Sequence, residues 1–233
     1  MATFVLVPGA MHGSWCWDRV VPLLEGEGHR AVAVDLPGMG LGGAAADDGV
    51  TLADWGDHVA DVVRAQPGPV VLVGHSRGGL VIGEAAERVP ALLAGLIYVA
   101  ALLVPPGESV AGLRGVDPGA GPHAVPGFAT LTAMFYQKCS PEDAAWAVAR
   151  LEAEPLQMLT SAATITPERW GRVPRGYVEC RDDATIALVE QRRMQAALPC
   201  DPVVTLDSDH SPWLSAPAAL AGAMAAMARG FGG

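Results

Sequence analysis

The feature that most constrains this chain is the stretch from Pro69 to Gly79, PVVLVGHSRGG. Val70 to Val73 form a continuous apolar, mostly β-branched run, the pattern of a strand buried on both faces in a parallel sheet. Helix-forming residues, LVIGEAAERV, follow from Leu80. Between them Gly74-His75-Ser76-Arg77-Gly78 must carry the chain from strand to helix, with a serine at the apex. Such a turn needs strained backbone angles and a close approach of its two arms, so the positions two before and two after the serine must lack bulk. A bare G-x-S-x-G is a weak signal; with a strand before it and a helix after it, the motif reads as a nucleophile elbow, which holds a hydroxyl out above the end of a sheet.

With 233 residues the chain can bury a large core as a single domain. Hydrophobic residues make up 51% and charged residues 17%, which fits a compact globular chain and argues against disorder. A formal net charge of -10 repels polyanions and excludes nucleic acid as an expected partner. The longest apolar run, Ala91 to Val104, is too short for a membrane span, so no membrane association is expected. The N-terminal MATFVLVPG has no basic lead-in and enters a strand at once, so no signal peptide is expected. Cys16, Cys139, Cys180 and Cys200 are scattered, without C-x-x-C spacing or a Cys/His cluster. They read as reduced packing residues of a cytoplasmic protein with no metal site and no cofactor. A small-molecule substrate is the expected partner, and a homodimer is compatible with the sequence.

From the start, Thr3 to Val7 is a short β-rich run that stops at Pro8-Gly9 and continues as Ala10-Met11-His12-Gly13. A strand ending in a glycine-containing loop sets backbone N–H groups at the C-terminal edge of the sheet, where open α/β folds bind ligands. Ala10 is therefore a candidate donor to an oxyanion. Trp15, Cys16 and Trp17 lead into an expected helix through Glu25, and Arg30 to Asp35 reads as a second strand before a loose stretch over 39–49. Thr51 is placed to cap a helix to about Ala65, with Leu52, Trp55, Val59, Val62 and Val63 on one face. Further strands are expected over Leu92–Ala101, Gly176–Cys180 and Pro202–Leu206, and helices over 186–198 and 215–228. Strands alternating with helices imply right-handed crossovers and a parallel sheet covered on both faces.

At Pro105 the pattern changes, because prolines and glycines crowd 105–127 with little periodicity. Ser140-Pro141-Glu142-Asp143 then starts a helix, with a capping serine, a first-turn proline and acids at the positive end of the dipole. Residues 105–172 are expected to form a cap over the elbow, inserted between core segments 1–104 and 173–233. Tyr136, Leu151, Met158 and Leu159 serve as cap core, while Met134, Phe135 and Trp146 are candidates to contact substrate, together with Met11, His12 and Trp213. His12 reads first as structural support of its loop. His29 and His58 are expected to be solvated, His75 to point away from the serine beside it, and His123 to lie in the loose start of the cap.

Serine catalysis needs a base within reach of the hydroxyl and a carboxylate on the other nitrogen of that base. The chain offers Ser76, then Asp182 or Asp183 after a later strand, then His210 in the loop after the last strand. Each follows the C-terminal end of a strand, so all converge on one edge of the sheet. Successive residues leaving a strand point in opposite directions, so only one of the two acids can face His210. The residues alone leave either one open.

The runs FVLVPGAMHGSWCWDRVVPLLEGEGHR, VLVGHSRGG, FYQKCSPED, YVECRDD and DSDHSPW together resemble the plant methylesterase and hydroxynitrile lyase branch of the α/β-hydrolases. The resemblance covers most of the chain. It implies an α/β-hydrolase fold: a mostly parallel six-stranded sheet with helices on both faces and a mainly helical cap inserted after the fourth strand. It also implies Ser76, Asp183 and His210 as a catalytic triad, with the backbone N–H groups of Ala10 and Arg77 as the oxyanion hole. Asp183 is preferred to Asp182 because the acid of the family stands eight positions ahead of a glutamine, as Asp183 does of Gln191. Two departures bear on the reaction. Pro8 stands where the branch often has histidine, and Ser211 follows His210 where the cyanohydrin-cleaving members carry lysine; Ala10 likewise lacks the hydroxyl those members use. The expected activity is thus hydrolysis of small, largely apolar carboxylic esters, methyl esters first, through an acyl-enzyme. The rival expectations are a lyase or cyclase that uses the Ser-His pair as acid and base, and a small-molecule binder on a hydrolase scaffold.

Overall fold

The structure is a computed structural model and describes residues 1–38, 49–115, 127–155 and 157–231. Six strands, β1 (Thr3–Val7), β2 (Arg30–Ala33), β3 (Val70–His75), β4 (Leu93–Val99), β5 (Arg175–Cys180) and β6 (Val203–Leu206), form one sheet in the order β2-β1-β3-β4-β5-β6. Every neighbouring pair is parallel. The sheet grows first from β1 to β2, and the chain then returns past β1 to place β3 on its other side. This reversal opens a crevice at the C-terminal ends of β1 and β3, where an open α/β sheet binds its ligand. The loop after β1 and the turn at Ser76 are the two walls of that crevice.

Alternation along the strands sends side chains into two layers. Val5, Val7, Val70, Leu72, Leu96 and Tyr98 face one layer, where α2 (Leu52–Arg64) and α3 (Gly78–Arg88) pack. Phe4, Leu6, Val71, Val73, Ile97 and Val99 face the other, covered by α1 (Val21–Gly26) and the C-terminal helix. Thr51 caps α2 in a reciprocal box with Asp54, and Leu52, Trp55, Val59 and Val63 are buried while Val62 is only half-buried.

Between β4 and β5 the described residues form only helices and loops: α4 (Val110–Arg114), α5 (Phe128–Phe135), α6 (Pro141–Val148) and α7 (Gln157–Thr160), with a 3-10 turn at Trp170–Arg172. Ser140 caps α6 by accepting from the Asp143 N–H at 3.1 Å. After β5 come α8 (Leu188–Ala197), β6, α9 (Pro212–Ser215) and α10 (Pro217–Phe231). No helix among the described residues is long and apolar enough to cross a membrane.

Several local expectations are corrected. The helix anticipated from Trp15 splits into a 3-10 turn, Ser14–Trp17, and α1, because Pro22 has no N–H to give and belongs in a first helical turn. The closing helix, α10, starts at Pro217, where a proline suits the first turn, and runs on to Phe231, while a short separate helix, α9, precedes it. Pairing along β2 stops at Ala33, two residues early. The proline- and glycine-rich stretch contains α4, capped by Ser109 and ended by Gly115 at φ 63°, too short to leave a periodic trace. His29 is half-buried rather than fully solvated: it accepts the Ala2 N–H and packs on Phe4. His58 is likewise half-buried and bonded to the Asp35 carbonyl. His123 and nearly all of the stretch 39–49 lie outside the described residues.

The elbow closes only because its flanks are glycine. A Cβ on Gly74 would stand 2.6 Å from the Gly78 carbonyl oxygen, and one on Gly78 would stand 2.7 Å from the Pro8 carbonyl oxygen. Both neighbours are backbone and cannot step aside cheaply. Gly78→Ala is therefore expected to lower stability by about 1–3 kcal/mol, as overpacking does elsewhere. Gly222→Ala, in α10 with open space around it, is the control and should be neutral or gain about 0.5–1 kcal/mol. Denaturant midpoints check this, and equal effects of the two substitutions would contradict the packing argument.

Candidate active site

Ser76 sits at the apex with φ 51°, a left-handed conformation that a residue with a side chain adopts at a cost. Hydrogen bonds hold it there. Its N–H donates to the Val99 carbonyl at 3.1 Å, and its own carbonyl accepts from Leu102 at 2.9 Å and Gly79 at 3.1 Å. The end of β4 therefore braces the turn.

Two loops bring a base and an acid to the hydroxyl. His210, after β6, has Nε2 3.0 Å from Ser76 Oγ, and its Nδ1 lies 2.8 Å from Asp183 Oδ2. A carboxylate only accepts, so Nδ1 carries the proton and Nε2 is left with the lone pair that faces the hydroxyl. The other oxygen of Asp183 accepts from the Thr185 and Ile186 N–H groups at 2.7 and 2.8 Å, and Gln191 Nε2 approaches Oδ2 at 3.4 Å. All three residues are buried. Asp182 turns outward instead and forms an ion pair with Lys138, the chain's one lysine, which also meets Asp207.

His210 is fixed from three further sides. His75 points away from Ser76 and donates through Nε2 to the His210 carbonyl at 2.7 Å. Phe135 stacks on the imidazole with ring centres 5.5 Å apart. Asp209, fully buried, accepts from the Ser211 N–H and the Ser215 hydroxyl on one oxygen and from the Lys138 N–H on the other. Sequence reasoning missed Asp209. Its only signal was an acid directly before the histidine, which does not separate a buried anchor from a solvated loop residue.

The loop after β1 lies against the elbow, since a Cβ on Gly9 would stand 2.9 Å from Ser76 Cβ. Ala10 and Met11 follow as half-buried residues, Met11 at φ 65°. His12 is enclosed: Nδ1 donates to the Ala10 carbonyl at 2.6 Å and Nε2 accepts from the Tyr136 hydroxyl at 2.7 Å. Burial, with the nearby His210 and Arg77 adding to it, lowers its pKa to about 3, so it stays neutral and can donate and accept at once. Burial also lowers the His75 pKa well below the usual histidine value.

The six candidate substrate contacts divide. Phe135, against His210, and Met11, in the loop beside Ser76, border the site. Met134 and Trp146 are half-buried on α5 and α6, with Trp146 edge-on to Trp15 and covered by Arg150. His12 and Trp213 are each 1% exposed and packed against one another, so this arrangement gives them packing and loop support and no free surface for a ligand.

The assignment of the acid is open to a direct test. Asp183→Asn and Asp182→Asn are to be compared for hydrolysis of an activated ester. Losing the carboxylate that orients the base costs on the order of 10⁴ in kcat in a serine triad. That loss is expected for Asp183→Asn alone, and a severe loss confined to Asp182→Asn would reverse the assignment.

The model of the alpha/beta hydrolase family matches residues 4–223. Methyl jasmonate esterase 1 of Vitis vinifera is 31% identical, over 92% of this chain and 92% of its own. Polyneuridine aldehyde esterase of Rauvolfia serpentina is 28% identical over 92% of this chain and 90% of its own. A crystal structure of polyneuridine aldehyde esterase matches with a TM-score of 0.87 over 97% of this chain and 99% of that one, at 27% identity. A pyrethroid hydrolase from Sphingobium faniae JZ-2 matches with a TM-score of 0.84 over 98% and 97% of the two chains, at 28% identity. From its parallel sheet, its serine elbow and these similarities, the chain belongs to the alpha/beta hydrolase family, in the branch of the plant methylesterases.

Proposed function

We propose that this chain is a serine carboxylic-ester hydrolase that works through an acyl-enzyme. The observation that carries the reading is the unbroken hydrogen-bond chain from Asp183 through His210 to Ser76, at 2.8 and 3.0 Å, on an elbow that faces the crevice of the sheet. Ser76 Oγ attacks the ester carbonyl carbon while its proton passes to His210 Nε2. The carbonyl oxygen becomes an oxyanion held by the backbone N–H groups of Ala10 and Arg77. Each such donor contributes about 3–4 kcal/mol to the transition state in a comparable site. The intermediate collapses, the alcohol leaves with the proton from His210, and water repeats the two steps to release the acid.

Small esters with a largely apolar acyl part, methyl esters first, suit the apolar side chains that border the site, Phe135 and Met11. The relatives named as esterases support the same class of bond. The rival use of the site as a cyanohydrin lyase needs a cation beside the base. Buried Ser211 occupies that position, and Lys138 is engaged at the surface with Asp182 and Asp207.

A panel of methyl and p-nitrophenyl esters of increasing acyl length tests the reading. Ser76→Ala should lower kcat by on the order of 10⁴ or more with the fold intact. Near-normal turnover by that variant would falsify the acyl-enzyme mechanism.

A further inference from the structure

Arg77 stands next to Ser76, yet its side chain does not reach the solvent. It runs back under the loop after β1, with its charged head 4.3 Å above the Trp55 ring. Nη2 donates to the Gly9 carbonyl at 2.9 Å, and Nε forms an ion pair with Glu154 at 2.8 Å. The side chains are 2% and 12% exposed, so this charge pair is desolvated on both sides. A charge so buried is costly unless its partner and its hydrogen bonds are well placed.

The Gly9 carbonyl, which also accepts the His12 N–H at a longer 3.3 Å, has a particular neighbour. It belongs to the same peptide unit as the Ala10 N–H. A trans peptide is planar, so the direction of the carbonyl fixes the opposite direction of the N–H across the bond. A donor carrying positive charge on the oxygen also draws electron density through the amide and strengthens the N–H as a donor. The two following carbonyls are held as well. Ala10 O accepts from His12 Nδ1 at 2.6 Å, and Met11 O accepts from the Glu152 N–H at 3.0 Å.

We propose that the Arg77 side chain, neutralised by Glu154, is a positioning residue for the oxyanion hole: it clamps and polarises the Gly9–Ala10 peptide, so that one residue supplies one donor from its backbone and aims the other with its guanidinium. Glu152 and Glu154 lie in the segment between α6 and α7, so the excursion between β4 and β5 also helps to set the geometry at Ser76. The inference rests on the acyl-transfer reading above and adds to it the means by which its second donor is held.

The test compares two inhibitors of matched length, an alkyl trifluoromethyl ketone and the unfluorinated methyl ketone. With the first, Ser76 Oγ bonds to the carbonyl carbon, the serine proton moves to His210 Nε2, and the carbonyl electron pair becomes an oxyanion in the hole. The second only occupies the pocket. The ratio of their inhibition constants therefore reads oxyanion stabilisation apart from binding or general stability.

Arg77→Met is expected to shrink this ratio by about tenfold or more, a fraction of what deleting a donor outright costs, while the KM for an ester changes little. Arg77→Lys keeps a positive charge for Glu154 but lacks the fork to serve Gly9 as well, and should lose an intermediate amount. If Arg77→Met does not fold, Arg77→Lys decides. A ratio unchanged from the parent protein in a folded Arg77 variant overturns the clamp. A parent protein that forms no tetrahedral adduct, read by fluorine NMR, overturns the underlying reading and the clamp with it.

Discussion

The architecture of the site depends on one close approach, that of the elbow backbone to the loop after β1. Two glycines permit it, Gly78 against the carbonyl of Pro8 and Gly9 against the Cβ of Ser76, while Gly74 against the carbonyl of Gly78 lets the elbow itself fold back. With any side chain at these positions the two segments separate. In the proposed reaction this contact is what lets donors from distant parts of the chain, Ala10 and Arg77, serve one oxygen atom. At the apex Ser76 stands at φ 51°, a strain on the order of 1–3 kcal/mol that the hydrogen bonds to Val99 and Leu102 offset.

Around that contact the charges are sorted by burial. His12 and His75 are neutral, and neutrality is what each needs. A charged imidazole has two donors and no acceptor, so it could not both donate to Ala10 and accept from Tyr136, as His12 does. His75 donates one proton to the His210 carbonyl and adds no positive charge beside the base. The permanent positive charge next to Ser76 is Arg77, and Glu154 balances it. The loop carrying His210 is fixed by the buried Asp209, which ties it to the cap at Lys138 and to α9 at Ser215.

Much of this was legible in the chain itself. The strands showed as short apolar runs because a parallel sheet is buried on both faces. The order of Ser76, an acid at 182 or 183, and His210 was readable because each follows a strand, and strand ends share an edge; the choice of Asp183 came from the family resemblance. What stayed hidden depends on partners far apart in sequence. Asp209 looks like any loop acid until Lys138 and Ser215 surround it. Arg77 offered a backbone N–H to sequence reasoning, whereas its side-chain partners, Gly9 and Glu154, are set by the fold alone. His12 and Trp213 were placed near the right loops, but packing against each other absorbed the surface a ligand would use. Short helices such as α4 are invisible to periodicity because they complete barely one turn.

The most direct measurement is to trap the covalent intermediate. An ester with a slowly released acyl group is mixed with the enzyme, quenched with acid during turnover, digested and analysed by mass spectrometry. The account predicts one acyl group, in ester linkage, on the peptide that contains Ser76, appearing within the first turnover and decaying once substrate is exhausted. Turnover with no adduct, or an adduct on a peptide without Ser76, would contradict it.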